Sequence, residues 1–362
     1  MEARETHLVT RHPASSLLVI DSEDRNISSS SQVATPTIAN GVSFYLPEAQ
    51  PWNNFKIQTP DRLLTGDVTK IMLKGIRFPW AIPNITPLNN YMKITITGGG
   101  ATPPATLTIP ITMPIGFNTP ADFVRIINGQ ILANGAPSAA ALSIAWNYTN
   151  SSFIWTITGY AGGTFLIEAF NKALNNNGTT PLTYGQYLTN PSLPRTMGMS
   201  STVMFYNINN APAVPGFPIG DSPEVIVGSR TTLLYTNYVD IVSVRLNQYR
   251  TIQDGASKNI SRRPLLTRLY CANETSTQEF DISGNPIPIG SQSFLINRKI
   301  CEKAVPWDPN ATLDYLDFTI YDEFGDFVYT PPTAIGTGLN TTYASNSYTT
   351  YPSFQMTLLI SE

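Results

Sequence analysis

From Leu316 to Tyr321 the chain reads LDFTIY, so Leu316, Phe318 and Ile320 alternate with Asp317, Thr319 and Tyr321. A two-residue apolar period belongs to a strand with one buried face, because helical neighbours recur at three and four residues instead. The strand is read from Leu313. The turn Asp322-Glu323-Phe324-Gly325-Asp326 follows, made of residues that favour tight connections, and Phe327 to Tyr329 begins the return. A further strand, FQMTLLISE, runs from Phe354 to Glu362. This is an all-β ending.

The rest of the 362 residues carries 29 prolines and 24 glycines, which interrupt helices too often for a helical fold and suit short strands joined by turns. Apolar residues make up 42% and charged residues 13%, about half the usual charged share. A disordered chain would be charge-rich. A charge-poor surface fits a protein covered by neighbours, since interface cores are depleted in charge. The net charge of −3 provides no basic field for nucleic acid.

The first residues, MEARETHLVTRHP, contain no apolar core of a signal peptide, and no run approaches the roughly 20 apolar residues of a membrane helix. The expectation is a soluble protein made in the cytosol, in which the Asn-X-Ser/Thr sequons at Asn26, Asn147, Asn259, Asn310 and Asn340 reflect Asn and Thr abundance. Cys271 and Cys301 form no disulfide framework and are expected to be reduced on neighbouring strands.

Residues 1–50 read as an extended arm. Its apolar stretch Leu17-Leu18-Val19-Ile20 either pairs with a neighbour's sheet edge or completes its own sheet. Residues 51–90 and 196–362 carry strand patterns expected to form one jelly roll. Candidate strands are Val68 to Phe78, Thr202 to Ile208, Glu224 to Val227, Tyr238 to Leu246, Leu265 to Ala272, Gln292 to Ile300, Leu313 to Tyr321 and Phe354 to Ile360, with Trp52 to Ile57 ahead of them. Residues 91–195 read as an inserted β-rich domain with one short helix. Thr119-Pro120-Ala121-Asp122 supplies an N-cap, a first-turn proline and an acid, and Phe123, Ile126, Ile127 and Ile131 follow at helical spacing. Hairpins are expected at 92–110 and 141–158, the second carrying Trp146 and Trp155 as pairing candidates.

The search for chemistry yields little. The two histidines, His7 and His12, both lie in the arm, which removes most histidine-based triad and zinc schemes. The glycine-rich pieces at Gly98 and Gly284 lack the lysine of a phosphate loop and read as turns. The acids Asp314, Asp317, Asp322, Glu323 and Asp326 do not follow an EF-hand spacing, and no carboxylate pair stands out as a glycosidase would require. Neither a cofactor nor a metal is expected. Arg245, Arg250, Arg262, Arg263 and Arg268 form the one basic concentration, read as pairing with acids at a subunit interface.

Several segments together resemble one family. They are LLVIDSEDRN at Leu17 to Asn26, FPWAIPNITPLNN at Phe78 to Asn90, GFNTPADFVRIIN at Gly116 to Asn128, YVDIVSVRLNQ at Tyr238 to Gln248, RPLLTRLY at Arg263 to Tyr270 and LDFTIYDEFGDFVY at Leu316 to Tyr329. In this order the chain is similar to the penton, or minor capsid, proteins of virophages, polinton-like viruses and nucleocytoplasmic large DNA viruses. The resemblance implies a non-enzymatic virion protein, assembled in the host cytoplasm. It implies a homo-pentamer of single jelly rolls at each icosahedral vertex of a double-stranded DNA virus. The arm would contact surrounding major capsid trimers through Leu17 to Ile20, Asp21, Asp24 and Arg25. The insertion would face outward, where Trp146 and Trp155 lie near any contact with a host or giant-virus glycan, although the hairpin core is the favoured place for both. The alternatives are a double jelly-roll major capsid protein, for which the chain has little room, and a carbohydrate-binding or fibre-type attachment protein, since jelly rolls also serve lectins.

Overall fold

The computed structural model describes residues 15–22, 38–39, 42–43, 54–58, 70–98, 106–134, 142–174, 179–204, 216–220, 223–246, 252–253, 262–271, 280, 284–306, 315–328 and 354–361. In chain order the first strands are β1 (Ser15–Asp21), the two-residue β2 (Ile38–Ala39) and β3 (Val42–Ser43), β4 (Asn54–Gln58) and β5 (Lys70–Trp80). A second group follows: β6 (Tyr91–Thr97), β7 (Leu107–Thr112), α1 (Pro120–Ala133), β8 (Leu142–Asn147), β9 (Ser152–Ile157), β10 (Thr164–Ala169), α2 (Tyr184–Thr189), α3 (Leu193–Thr196), α4 (Ser201–Met204), β11 (Phe217–Pro218) and β12 (Glu224–Val227). The chain then returns through β13 (Tyr238–Val242), β14 (Ile252–Gln253), β15 (Arg262–Arg263), β16 (Leu265–Tyr270), β17 (Phe294–Pro306), β18 (Tyr315–Asp322) and β19 (Gln355–Ser361).

Two four-stranded antiparallel sheets, β1-β19-β5-β17 and β16-β13-β18-β4, enclose the first core. Numbering only these strands along the chain, the orders become 1-8-3-6 and 5-4-7-2, the two interleaved Greek keys of a jelly roll. The alternation read from the sequence sets which faces meet. Leu316, Phe318 and Ile320 point inward with Val239 and Ile241 of the neighbouring strand, and Phe55, Phe78, Phe318 and Phe354 meet at ring distances of 5.5 to 6.1 Å.

The eighth strand is β1. Its register runs from Ser15 opposite Ser361 to Asp21 opposite Gln355, so the stretch read as part of an arm completes the chain's own sheet. Ile20 is 3% exposed and enters the core, and this burial outweighs the freedom of a loose strand. Two strands assigned to the jelly roll from sequence leave it. Glu224–Val227 pairs with β9, and Ser201–Met204 is a helical turn whose Met204 is buried in the second core. Cys271 follows β16 and Cys301 lies in β17, strands of different sheets, so the two are not on neighbouring strands as expected.

The second core, from Ile85 to Leu233, lies between the sheets β11-β10-β6-β7 and β12-β9-β8. The boundary expected at residue 195 falls inside it, because Met197, Met199, Met204, Ile219, Ile226 and Leu233 all contribute. Helix α1 starts as read: Thr119 accepts from the Asp122 amide and Asp122 reaches back to the Thr119 amide, a capping box. Its apolar stripe, Phe123, Ile127 and Ile131, is fully buried. Its polar side reaches two sheet edges. Asn128 donates to Ile144 O and accepts from Ile144 N, both at 2.9 Å, along β8. Gln130 donates to Thr112 O at 2.7 Å and accepts from Thr112 N at 2.8 Å, along β7. Two side-chain amides thus stand in for missing strands on edges that invite aggregation.

Candidate functional site: two outer sheet faces and a neck

The two units meet at a neck. The chain leaves the first core after Ile82, enters the second at Ile85, and returns between Leu233 and Leu234. The bulky corner after Phe78 therefore plugs both cores, with Trp80 stacked on Phe294 at 5.7 Å. Between them lies a buried asparagine knot. Asn84 donates to Asn118 O at 2.7 Å and accepts from Asn118 N at 2.9 Å. Asn89 donates to Asn84 O and to Thr196 Oγ1 and accepts from Thr86 N. Buried amides that lack partners are costly, so each satisfied pair holds these loops in one arrangement. On the returning segment Leu233 has φ 57°, a left-handed conformation rare for a bulky residue. Gly290 lies against it, where a Cβ would come within 2.1 Å of Leu233 O.

The acidic turn after β18 ties the two units together. Glu323 accepts from Asn237 N and Nδ2 and lies 3.4 Å from Arg195 of the second unit, whose guanidinium covers Phe324 at 4.9 Å. Asp322 accepts from the amides of Phe324 and Asp326 at 2.9 and 3.0 Å and from the Tyr235 hydroxyl at 3.3 Å. Burial pushes its carboxyl up to about 7, against the opposing pull of the Asp326 and Phe324 amides. Asp317 caps the turn after β13, accepting from the amides of Val244 and Arg245. Among the described residues no group of three or more His, Cys, Asp or Glu is placed to hold a metal. Asp314, His7 and His12 lie outside the described residues.

The outer faces of the two jelly-roll sheets differ. On the first, Leu17 and Val19 of β1 are 66% and 63% exposed, opposite Leu359 and Thr357. Leu18 is half-buried against the core. Asp21 accepts from Gln355 Nε2 at 2.7 Å, across the strand pair. Asp24 and Arg25 lie outside the described residues.

On the second sheet the outer face is aromatic. Tyr238 and Tyr270 face each other at 5.5 Å, and Tyr321 stacks on Phe327 at 5.2 Å. Between them Arg268 grips Asp240 with Nε and Nη2 at 2.6 and 2.8 Å and lies 3.9 Å over the Tyr238 ring. The carboxylate's hydrogen bond holds Arg268 further above its already high range.

Arg245 and Arg268 sit over different rings, Tyr315 and Tyr238. Arg268 is paired with Asp240 within the chain. Arg245 lies past the end of β13, over Tyr315 at 5.3 Å. Arg262 and Arg263 sit in β15 opposite Gln253 and Ile252, and Arg250 lies outside the described residues. Of the two tryptophans, read as hairpin core ahead of an outer-surface role, Trp155 is 0% exposed, donating from Nε1 towards Met199 Sδ and packing on Phe165. It sits on the inward parity of β9, which is why it cannot face solvent. Trp146 is partly buried beside Phe153, its direct cross-strand partner, while Trp155 lies opposite Ile144. The aromatic face was missed in the sequence. Its signal is tyrosine at the outward positions 238, 270 and 321, where charge is usual.

Strand order defines the class: a single jelly roll with a second β-sandwich core inserted between its third and fourth strands. No protein-family model matches the chain, and no curated protein does either. Among solved structures it is similar to the crystal structure of the selenomethionine-labelled mavirus penton protein, at 10% sequence identity and a TM-score of 0.44, over 97% of this chain and 99% of that one.

Proposed function

We propose that the chain is a non-enzymatic capsid subunit that closes an icosahedral vertex as a ring of five copies. The observation that carries this is the strand order: one jelly roll, interrupted once by a second core, is the layout implied by the order of motifs from Leu17 to Tyr329. A charge-poor chain with exposed apolar and aromatic sheet faces supports it, because such faces need cover. In this reading the protein resides in the virion after assembly in the host cytoplasm. The arm contacts surrounding major capsid trimers through residues around Leu17 to Arg25, and the inserted unit faces outward, where a host or giant-virus glycan would be met.

The test is the mass of the full-length chain in solution, with and without residues 1–14. A cut at residue 50 would strip β1 from its sheet. Rings of five times 39.7 kDa that survive the truncation are expected. Stable trimers at every concentration would sink the vertex reading in favour of a major capsid or fibre protein.

A further inference from the structure

We propose that Asp322, Tyr235 and Thr86 form a proton-controlled latch across the neck. It holds the inserted unit on the jelly roll while the Asp322 carboxyl keeps its proton, and it lets go when that carboxyl ionises. The latch lies within one chain and does not depend on the ring.

Both chain crossings are part of it. Thr86 lies just past the first and Tyr235 just past the second. The Tyr235 hydroxyl is hydrogen-bonded to Asp322 Oδ2 at 3.3 Å and to the Thr86 side chain. Thr86 Oγ1 lies 3.0 Å from Asn89 Oδ1, and the Asn89 amide nitrogen reaches Asn84 O and Thr196 Oγ1. A continuous line of hydrogen bonds therefore runs from the acidic turn of the jelly roll into the asparagine knot and α3. Asp322, Tyr235 and Thr86 are each at most 5% exposed.

The surroundings of the Asp322 carboxyl favour its neutral form. Its hydrogen-bond partners are the amides of Phe324 and Asp326 and the Tyr235 hydroxyl, none of them charged. Among the described residues it has no ion pair. On its own turn, Asp326 is of like sign, and Glu323 is engaged by Asn237 and Arg195. From the second unit, Arg195 is taken up by Glu323 and by the face of Phe324. From β13, Val239 stands opposite Asp322, while Asp240 is closed on Arg268 at the outer face. An ionised Asp322 would be a buried charge without a cation, which is costly. Burial accordingly lets the carboxyl keep its proton up to about pH 7. Above that, water must reach it, and its cover is Tyr235 packed on Phe324 at a ring distance of 5.8 Å. Moving that cover draws Tyr235 from Thr86 and Phe324 from Arg195, both ties between the two units. The closed neck thus binds the proton more tightly than the open one, and rising pH favours opening.

The experiment follows hydrogen exchange in the full-length chain at two amides of the inserted unit, each bonded to an asparagine side chain. Asn118 N donates to Asn84 Oδ1 at the neck, and Ile144 N donates to Asn128 Oδ1 on the edge strand β8. Hydroxide catalysis speeds both alike, so the ratio of their rates reports the neck. Between pH 5 and pH 8 the ratio of Asn118 to Ile144 exchange is expected to rise by about tenfold or more, the change that a proton bound more tightly in the closed state imposes. Asp322→Asn, which cannot ionise, is expected to hold the ratio flat. Asp326→Asn, at an exposed position, removes the like charge and is expected to move the rise to lower pH. This second variant decides the matter if Asp322→Asn does not fold. A wild-type ratio that ignores pH overturns the latch. So does a rise that Asp322→Asn retains, or one whose midpoint Asp326→Asn leaves in place.

Discussion

Asp322 shows how much of a residue's role lies in what folds over it. The sequence marks it as part of an acidic turn, and the turn is there. Tyr235, which covers the carboxyl, is 87 residues away and belongs to a segment without strong patterning. The consequence is a pH dependence with a definite sign. The carboxyl rises from 3.8 to about 7 on folding because burial disfavours its charge, with Asp326 adding repulsion. The folded chain therefore binds this proton more tightly than the unfolded one. The stability it adds is complete below about pH 4, declines as pH rises towards 7, and is absent above that. Asp322→Asn keeps an oxygen for the amides of Phe324 and Asp326 without carrying charge. It is expected to raise the melting midpoint at pH 8 by a few degrees, and the gain should vanish by about pH 4. Destabilisation at pH 8 that disappears by about pH 4, measured by thermal melts, would show that the ionised carboxylate is the favoured form. Trp155 teaches the same lesson. Its position in a hairpin was readable from Asn150-Ser151 and the flanking alternation, but its inward parity depends on pairing with both β8 and β12.

At the scale of elements, those with their own local signals were readable and those defined by distant partners were not. Helix α1 announces itself through Thr119, Pro120 and Asp122 and an apolar stripe. Glu224–Val227 was recognised as a strand, but nothing local says that it pairs with β9 rather than with a jelly-roll sheet. Likewise SLLVI reads as a strand, whereas its partner lies at the other end of the chain. The clasp formed by α1 was invisible because Asn128 and Gln130 look like ordinary polar helix residues. Removing one clasp leaves a strand amide and carbonyl without partners. Asn128→Ala is expected to cost about 1–3 kcal/mol and to speed hydrogen exchange at the Ile144 amide. Arg125→Ala, on the exposed side of the same helix, should stay within about 0.5 kcal/mol. Equal effects from the two changes in denaturant melts would mean that α1 contributes only its apolar stripe.

For the whole molecule, the organising fact is a pair of hydrophobic cores joined by two short crossings, at Asn84 and between Leu233 and Leu234. A change of texture near residue 195 is visible in the sequence, because the Gly, Ala, Thr and Asn-rich stretch ends there. The physical boundary lies later, since the second sandwich needs β12 to cover Trp155 and needs Met197, Met199 and Leu233 to fill its interior. This gives a test with opposite outcomes for two fragments. Residues 82–234 contain every member of the second core, both sheets and the Asn84–Asn118–Asn89 knot, and a unit of this size can bury enough surface to fold alone. That fragment is expected to melt cooperatively and to resist proteolysis. Residues 91–195 lose β12, Ile85, Ile226 and Leu233 and expose the β9 edge. This shorter fragment is expected to aggregate or to lack a cooperative transition. If both fragments fold equally well, β12 belongs energetically to the jelly roll despite its pairing. If neither folds, the inserted sandwich depends on the neck contacts from Glu323 to Arg195 and on Gly290 beneath Leu233, and the two cores form a single cooperative unit.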